Sequence, residues 1–273
     1  MNKKIWLMSP AAFLLLSFCV VPLFIMVYFS FLSDGAAGHF TLQNYLDFFQ
    51  KGFYLKLTWK TIQLSFYVTL ICLLIGYPMA YVMVKIISGG KNLLLMAIII
   101  PFWSSQLVRA YSWQNLLREG GILEIVLRKL HLIGPEPLGL MFTQYAVVIA
   151  LVHIFFPYMV ITIYMSLEKV DNALIEASKS LKAGPFTTFR RIVLPLSKPG
   201  IISGCILVFV PCLGVFVEPR ILGGTKGSVI GMVIEDQFFE IYGWNFGAAI
   251  SFILLIIVLI CMAVLSRFSK EEA

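Results

Sequence analysis

The sequence predicts an all-α membrane protein with six transmembrane helices. Two observations carry that reading. The chain of 273 residues is 60% hydrophobic and only 13% charged, whereas a soluble domain has about 25% charged residues. The apolar residues also fall in blocks of about 20 or more, the length that crosses a bilayer as a helix. A third observation, the placement of Lys and Arg between the blocks, gives an orientation.

The expected spans are residues 5–32, 60–86, 93–116, 142–167, 199–221 and 246–267 of one membrane domain, 1–273. Lys3 and Lys4 precede the first apolar run in the manner of a signal peptide. The run is too long for a signal core and lacks an A-x-A exit, so it is read as an uncleaved span. Ser33-Asp34-Gly35 opens a polar, aromatic connection over 33–59. Residues 87–92 make a tight Gly-Gly turn. Residues 117–141 hold a short amphipathic helix near Leu123–Leu132, and Gly134-Pro135-Glu136-Pro137 stops it. Residues 222–245 read as a Gly-rich loop with acids.

With the N-terminus inside, twelve Lys and Arg lie in inside segments and nine in outside ones. Both termini, and the loop 168–198, are then cytoplasmic.

The five cysteines, at 19, 72, 205, 212 and 261, all lie in apolar runs without a C-x-x-C pair. They read as small buried residues, not as metal ligands or a disulfide framework. His39, His131 and His153 are scattered and form no H-E-x-x-H, and the chain has no G-x-x-x-x-G-K-[ST]. An intramembrane enzyme and a self-contained ATPase are thereby disfavoured. An ion-coupled secondary transporter is the stronger rival, but acids at membrane depth are few.

The stretch EASKSLKAGPFTTFRRIVLP, residues 176–195, breaks the apolar pattern. Asp171 or Asn172 can cap a helix there, and Glu176 sits in its first turns. Leu174, Ala177 and Leu181 recur at helical spacing, and Gly184-Pro185 ends the helix. Phe186, Phe189 and Val193 form a second apolar stripe. The expected form is two short helices joined at a corner of small residues, namely Ala177, Ser178, Ala183 and Gly184. A basic helix on anionic lipid explains the charge. Docking into a partner's cleft also explains the small residues.

This stretch resembles the EAA loop of binding-protein-dependent ABC import permeases, at Glu176, Ala177, Phe189, Ile192, Leu194 and Pro195. Ser178 replaces the second Ala of the pattern. Lys182 stands where the family has Gly, so either Lys182 is helical or the turn slides toward Gly184-Pro185. The segments PFWSSQLVRAYSW (101–113), GVFVEPRILGG (214–224) and WNFGAAIS (244–251) resemble permease subunits of spermidine/putrescine importers.

The resemblance implies the type I importer fold, with a coupling helix between spans four and five. It implies residence in the bacterial cytoplasmic membrane and polyamine transport, without enzymatic activity. It also implies a second homologous permease, two ATPase subunits and an external binding protein as partners, beside the lipid bilayer. The chain itself would hold no cofactor; ATP and magnesium would bind to the ATPase subunits. The residues from Glu176, Ala177 and Ser178 to Lys182, Ala183 and Gly184 would couple to an ATPase. The same importer class also carries other small amines, opine-like compounds and anions.

A polar solute needs groups that replace water at membrane depth. Span three offers Trp103, Ser104, Ser105, Gln106 and Arg109 beside Pro101; span five offers Phe216, Glu218 and Arg220 between Pro211 and Pro219. Trp103, Ser104, Gln106, Phe216, Glu218 and Arg220 are the expected pathway. Trp103 offers a π face to an ammonium group, and Glu218 a counter-charge, whereas Arg220 would repel a cation. Trp103 also suits the aromatic belt at the outer interface, and Tyr111 is read as belonging to it. Arg109 suits pathway lining and structural pairing equally, and Glu218 could pair with Arg109 or Arg220. Glu235, Asp236 and Glu240 are either a solvated face, a contact for the binding protein, or a cation-attracting vestibule.

Overall fold

The computed structural model describes residue 10 and residues 13–33, 38–87 and 89–270. The first expected residues of span one, from 5, lie outside them. Eleven helices are labelled here in chain order. They are α1 (Phe13–Ser30), α2 (Gln43–Gln50), α3 (Gly52–Ile86), α4 (Lys91–Trp103), α5 (Gln106–Leu117), α6 (Ile122–Lys129), α7 (Gln144–Glu168), α8 (Asn172–Ser180), α9 (Pro185–Leu213), α10 (Ile230–Phe239) and α11 (Trp244–Lys270). The described residues add one isolated bridge, Leu32 to Phe40.

Among the described residues five helices are long and apolar enough to cross a membrane, and α4 with the segment Gln106–Lys129 makes a sixth if the pair counts as one broken span. α7 is the hub. Its N-cap Thr143 accepts a hydrogen bond from Ala146 N at 3.3 Å. Over half of its span is buried, against 6% for α1 and 17% for α11. α7 is therefore enclosed by neighbours, whereas α1 and α11 turn apolar side chains outward, as lipid contact requires.

α3 and α9 flank α7 and share its core through Leu64, Val68, Leu151, Met159, Ile163 and Val208. Close approach of α9 to α7 depends on glycine. A Cβ at Gly204 would lie 2.6 Å from Thr162 Oγ1 and 2.7 Å from Met159 Sδ. Small residues at such contacts let dispersion act between backbones where water cannot drive helices together.

Several expected boundaries need correction. α3 starts at Gly52 rather than residue 60, and its 35 residues span about 50 Å at 1.5 Å per residue. That exceeds a hydrocarbon core of about 30 Å, so the helix overhangs. The expected span 93–116 is two helices bent by 96°. The cause is local. Pro101 lies in a 3-10 turn, Ile100–Trp103, and Ser104 and Ser105 are extended with ψ of 149° and 146°.

The expected span 199–221 runs instead from Pro185 and stops at Leu213. Pro195 and Pro199 lie inside this helix, so the second short helix of the 168–198 loop is the start of α9 and not a separate element. At the other end, Pro211 removes a backbone donor and Gly214 caps the helix. Residues 215–216 carry the chain out of helix, and a π-helical turn, Pro219–Gly223, follows.

The expected loop 222–245 contains α10. Its Ile230 N donates to Thr61 Oγ1 at 3.0 Å, deep in the fold, and Ile230 packs with Phe48, Leu57 and Ile250.

Candidate functional site

Two regions at opposite ends of the bundle hold the expected functional residues. The first is the corner after α7. Asp171 Oδ1 accepts from Ala173 N at 2.9 Å and starts α8. The helix ends in a Schellman motif. Lys182 N donates to Lys179 O (2.9 Å) and Ala183 N to Ser178 O (3.1 Å).

That motif needs a left-handed residue, and Lys182 supplies it with φ +58°. The corner thus neither makes Lys182 helical nor slides to Gly184. Lys182 keeps the turn where the EAA pattern has Gly, at a cost of about 1–2 kcal/mol for a side-chain-bearing residue. Gly184 has ordinary extended geometry, φ −69° and ψ 161°, as the residue before α9. A Cβ on Gly184 would meet nothing within 4 Å.

Glu176, Ala177, Lys182 and Gly184 are exposed, and Ala183 is half-buried. Ser178 departs from the set: it is buried and bonds Thr188 Oγ1 at 2.8 Å. Phe186 also leaves the expected stripe, being 73% exposed while Val193 is buried. A cleft of about 380 Å³ opens beside α8, lined by Tyr81, Lys85, Asn172, Ile175, Glu176 and Thr188 among others. Lys85 Nζ closes one side by donating to Val170 O (2.8 Å) and Asn172 Oδ1 (2.9 Å).

The second region is where α4–α5 and the end of α9 both break. Gln106, in the first turn of α5, donates through Nε2 to Glu218 Oε1 at 2.9 Å. Glu218 is fully buried. Its other oxygen, Oε2, has no hydrogen-bond partner among the described residues, and neither has Arg109 Nε. Trp103 is 87% exposed and Phe216 39% exposed; Ser104 is exposed too, with its hydroxyl turned to Pro101 O at 2.7 Å. In this conformation the two expected pathway rings are accessible, whereas the Glu218 carboxylate is sealed from water.

The alternative in which Glu218 pairs with Arg109 or Arg220 gives way to other partners for both bases. Arg109 lies over the Phe102 ring, 5.3 Å from its centroid. Arg220 turns to α10 instead. Its Nη2 pairs with Glu235 Oε2 at 2.6 Å and also with Asp236 Oδ1. Burial works against the cation, but the hydrogen bonds it donates to Asp236 and Glu235 outweigh that and push the Arg220 pKa further up. Two carboxylates on one guanidinium leave a net negative cluster, so Arg220 is not a free positive charge facing a cation. Glu235 and Asp236 are half-buried partners in an ion cluster and not a plain solvated face, while Glu240 is exposed just past α10.

His153 Nδ1 accepts a hydrogen bond from Trp113 Nε1 at 3.3 Å. Sequence reasoning passed over α10, Lys85 and Thr61. Ile230, Val233 and Ile234 recur at helical spacing and were the available signal for α10. Lys85 and Thr61 left no signal, because their partners are distant in sequence.

Comparison with known proteins agrees with this architecture. Over 260 residues the chain is 37% identical to the spermidine/putrescine transport system permease protein PotB of Haemophilus influenzae, covering 94% of this chain and 90% of that one. It is 38% identical to PotB of Escherichia coli K12, covering 94% of both. A crystal structure of a bacterial ABC transporter involved in import of the acidic polysaccharide alginate superposes with a TM-score of 0.79 at 16% identity, over 98% of this chain and 96% of that one. A second alginate ABC transporter structure, in complex with a pentasaccharide-bound periplasmic protein, gives 0.81 at 16% identity with the same coverage. At that identity the likeness speaks for the fold. The family model for the inner membrane component of binding-protein-dependent transport systems matches residues 2–270, and the chain belongs to that family.

Proposed function

We propose that this permease passes polyamines of the spermidine and putrescine class through the cytoplasmic membrane, driven by ATP hydrolysis in separate subunits. The observation that carries the reading is the buried Glu218 carboxylate with one oxygen unpartnered. It lies between breaks in two helices, in a chain 37–38% identical to spermidine/putrescine permeases. A carboxylate out of water with a single donor is costly unless a second donor or a cation reaches it.

An amine meets that need. Opening the break between α5 and the Pro219–Gly223 turn would expose Glu218 beside Phe216 and Trp103, whose π faces suit an ammonium group. The negative balance of Arg220, Glu235 and Asp236 favours the same sign of solute. It disfavours the anionic alternative, and another small amine remains the nearer one.

The remaining parts follow the importer plan. A second homologous permease completes the pathway, because one lopsided set of helices cannot enclose it. The α8 corner, with Glu176, Ala177, Lys182, Ala183 and Gly184, docks on one of two ATPase subunits, which bind ATP and magnesium. An external binding protein delivers the solute on the side of Glu235, Asp236 and Glu240. Both termini and the α8 corner are cytoplasmic, following the Lys and Arg bias.

The test is uptake by proteoliposomes holding the full complex and its binding protein. Labelled spermidine or putrescine should accumulate with ATP, and uncouplers should not stop it. Accumulation of an anion such as sulfate with none of either amine would refute the polyamine reading.

A further inference from the structure

We propose that Phe189 is a positioning residue for energy coupling: its ring, clasped between Tyr77 and Tyr81, transmits movement of the α8 corner to α3. This rests on the reading that the corner docks on an ATPase. It adds the route by which a movement there reaches the membrane helices.

Phe189 meets both tyrosines edge-on. Its ring centroid lies 5.8 Å from each, with interplanar angles of 85° to Tyr77 and 84° to Tyr81. Tyr77 and Tyr81 are one helical turn apart and so share a face of α3. A ring held edge-to-face on two sides resists sliding in either direction along α3, and each such pair adds to plain burial.

Two hydroxyl chains bracket the clasp. Thr188 Oγ1 donates its one proton to Gly184 O (3.2 Å), so the 2.8 Å contact with Ser178 is a bond donated by Ser178. This bolts α8 to the residue before Phe189. Ser197 Oγ donates to Leu194 O (3.0 Å), so Tyr77 is the donor in its 3.0 Å bond to Ser197. This bolts α3 to α9 beyond Phe189. Lys85 secures the other end of α8 to α3.

The clasp also borders a π-helical turn in each helix. Phe189 opens the π turn Phe189–Val193 of α9, and Tyr81 immediately precedes the π turn Val82–Ile86 of α3. π-helical turns recur at functional positions. A push on the exposed face of α8 therefore meets a body tied at both ends. The start of α9, bonded to α8 through Thr188, in turn meets α3 through the Phe189 ring between Tyr77 and Tyr81.

The experiment measures solute transported per ATP hydrolysed in the reconstituted full complex. This ratio does not depend on how much complex folds. Phe189→Leu keeps apolar volume and loses the ring, so basal ATPase should persist while the ratio falls about tenfold. Tyr81→Leu should act likewise from the α3 side, and Tyr81→Phe, which keeps the ring, should restore the ratio. The Tyr81 pair carries the test if Phe189→Leu does not assemble. A parallel fall of ATPase and uptake at constant ratio, or no change, overturns the proposal and leaves Phe189 as static packing. Failure of the docking reading looks different: a cysteine at Lys182 in otherwise wild-type complex would not cross-link to any ATPase subunit.

Discussion

Gln106 Nε2 lies 2.9 Å from Glu218 Oε1 and so ties the first turn of α5 to the chain that leaves α9. The bond joins residues on either side of two helix breaks, and it is the donor that keeps a buried carboxylate from being wholly bare. Gln106→Ala should therefore loosen this seal, since a buried acceptor left unmet costs about 1–3 kcal/mol. In a background without the five native cysteines, a cysteine at Phe216 should react faster with a membrane-impermeant thiol reagent once Gln106 is Ala. An unchanged rate would mean that the contact does not seal the site.

Glu218→Gln preserves shape and removes charge. Uptake of a cationic solute should fall roughly tenfold, the loss expected for a charge contact of about 1.4 kcal/mol. Detergent-extracted protein should remain folded, because a neutral amide is cheaper to bury than an ionised carboxylate. Undiminished uptake of spermidine and putrescine by the variant would remove Glu218 from the pathway.

Arg220→Asp looks favourable for a cation from sequence alone. The ion cluster reverses that expectation. The change would set three carboxylates together and release α10 from the Pro219–Gly223 turn, so uptake should fall whatever the sign of the solute. Arg220→Gln combined with Glu235→Gln and Asp236→Asn should be milder than the sum of the separate changes. Thermal midpoints of the purified proteins measure this coupling, which for partly exposed pairs is about 0.2–1 kcal/mol each.

Lys182→Gly should raise thermal stability by about 1 kcal/mol, because Gly takes the left-handed turn without a Cβ penalty. Lys182→Val should lower it, since a branched side chain fits that backbone worse. Uptake by the Gly variant should match wild type. A destabilised Lys182→Gly protein would mean that the Lys side chain offsets the strain through contacts of its own.

Gly184→Trp tests docking at the corner. Open space surrounds this Cβ position, so the protein should fold and insert. The indole would project from the corner and should block the ATPase, abolishing uptake, while Gly184→Ala should be tolerated. Normal uptake by well-expressed Gly184→Trp would remove the corner from the coupling interface.

The all-helical membrane fold was legible because hydrocarbon demands long apolar helices, and that demand is written locally, residue by residue. The helix breaks were half legible. Pro101, Pro211 and Gly214 announced weakness, but not a 96° bend, because a proline in a membrane helix can also be absorbed as a mild kink. The α8 corner was legible as a motif. That Lys182 takes φ +58° was not, since a left-handed Lys is stabilised only by the turn that surrounds it.

By itself the sequence determined the class of molecule, the number of apolar blocks and the position of the EAA-like corner, all of which depend on near neighbours along the chain. Only the tertiary structure decided which charges are free. Arg220 is claimed by Glu235 and Asp236, some fifteen residues on, and Glu218 is held by Gln106, 112 residues away. Coulomb and hydrogen-bond energies fall off with distance through space and not along the chain, so the sign of the site could be read only after folding had set those distances.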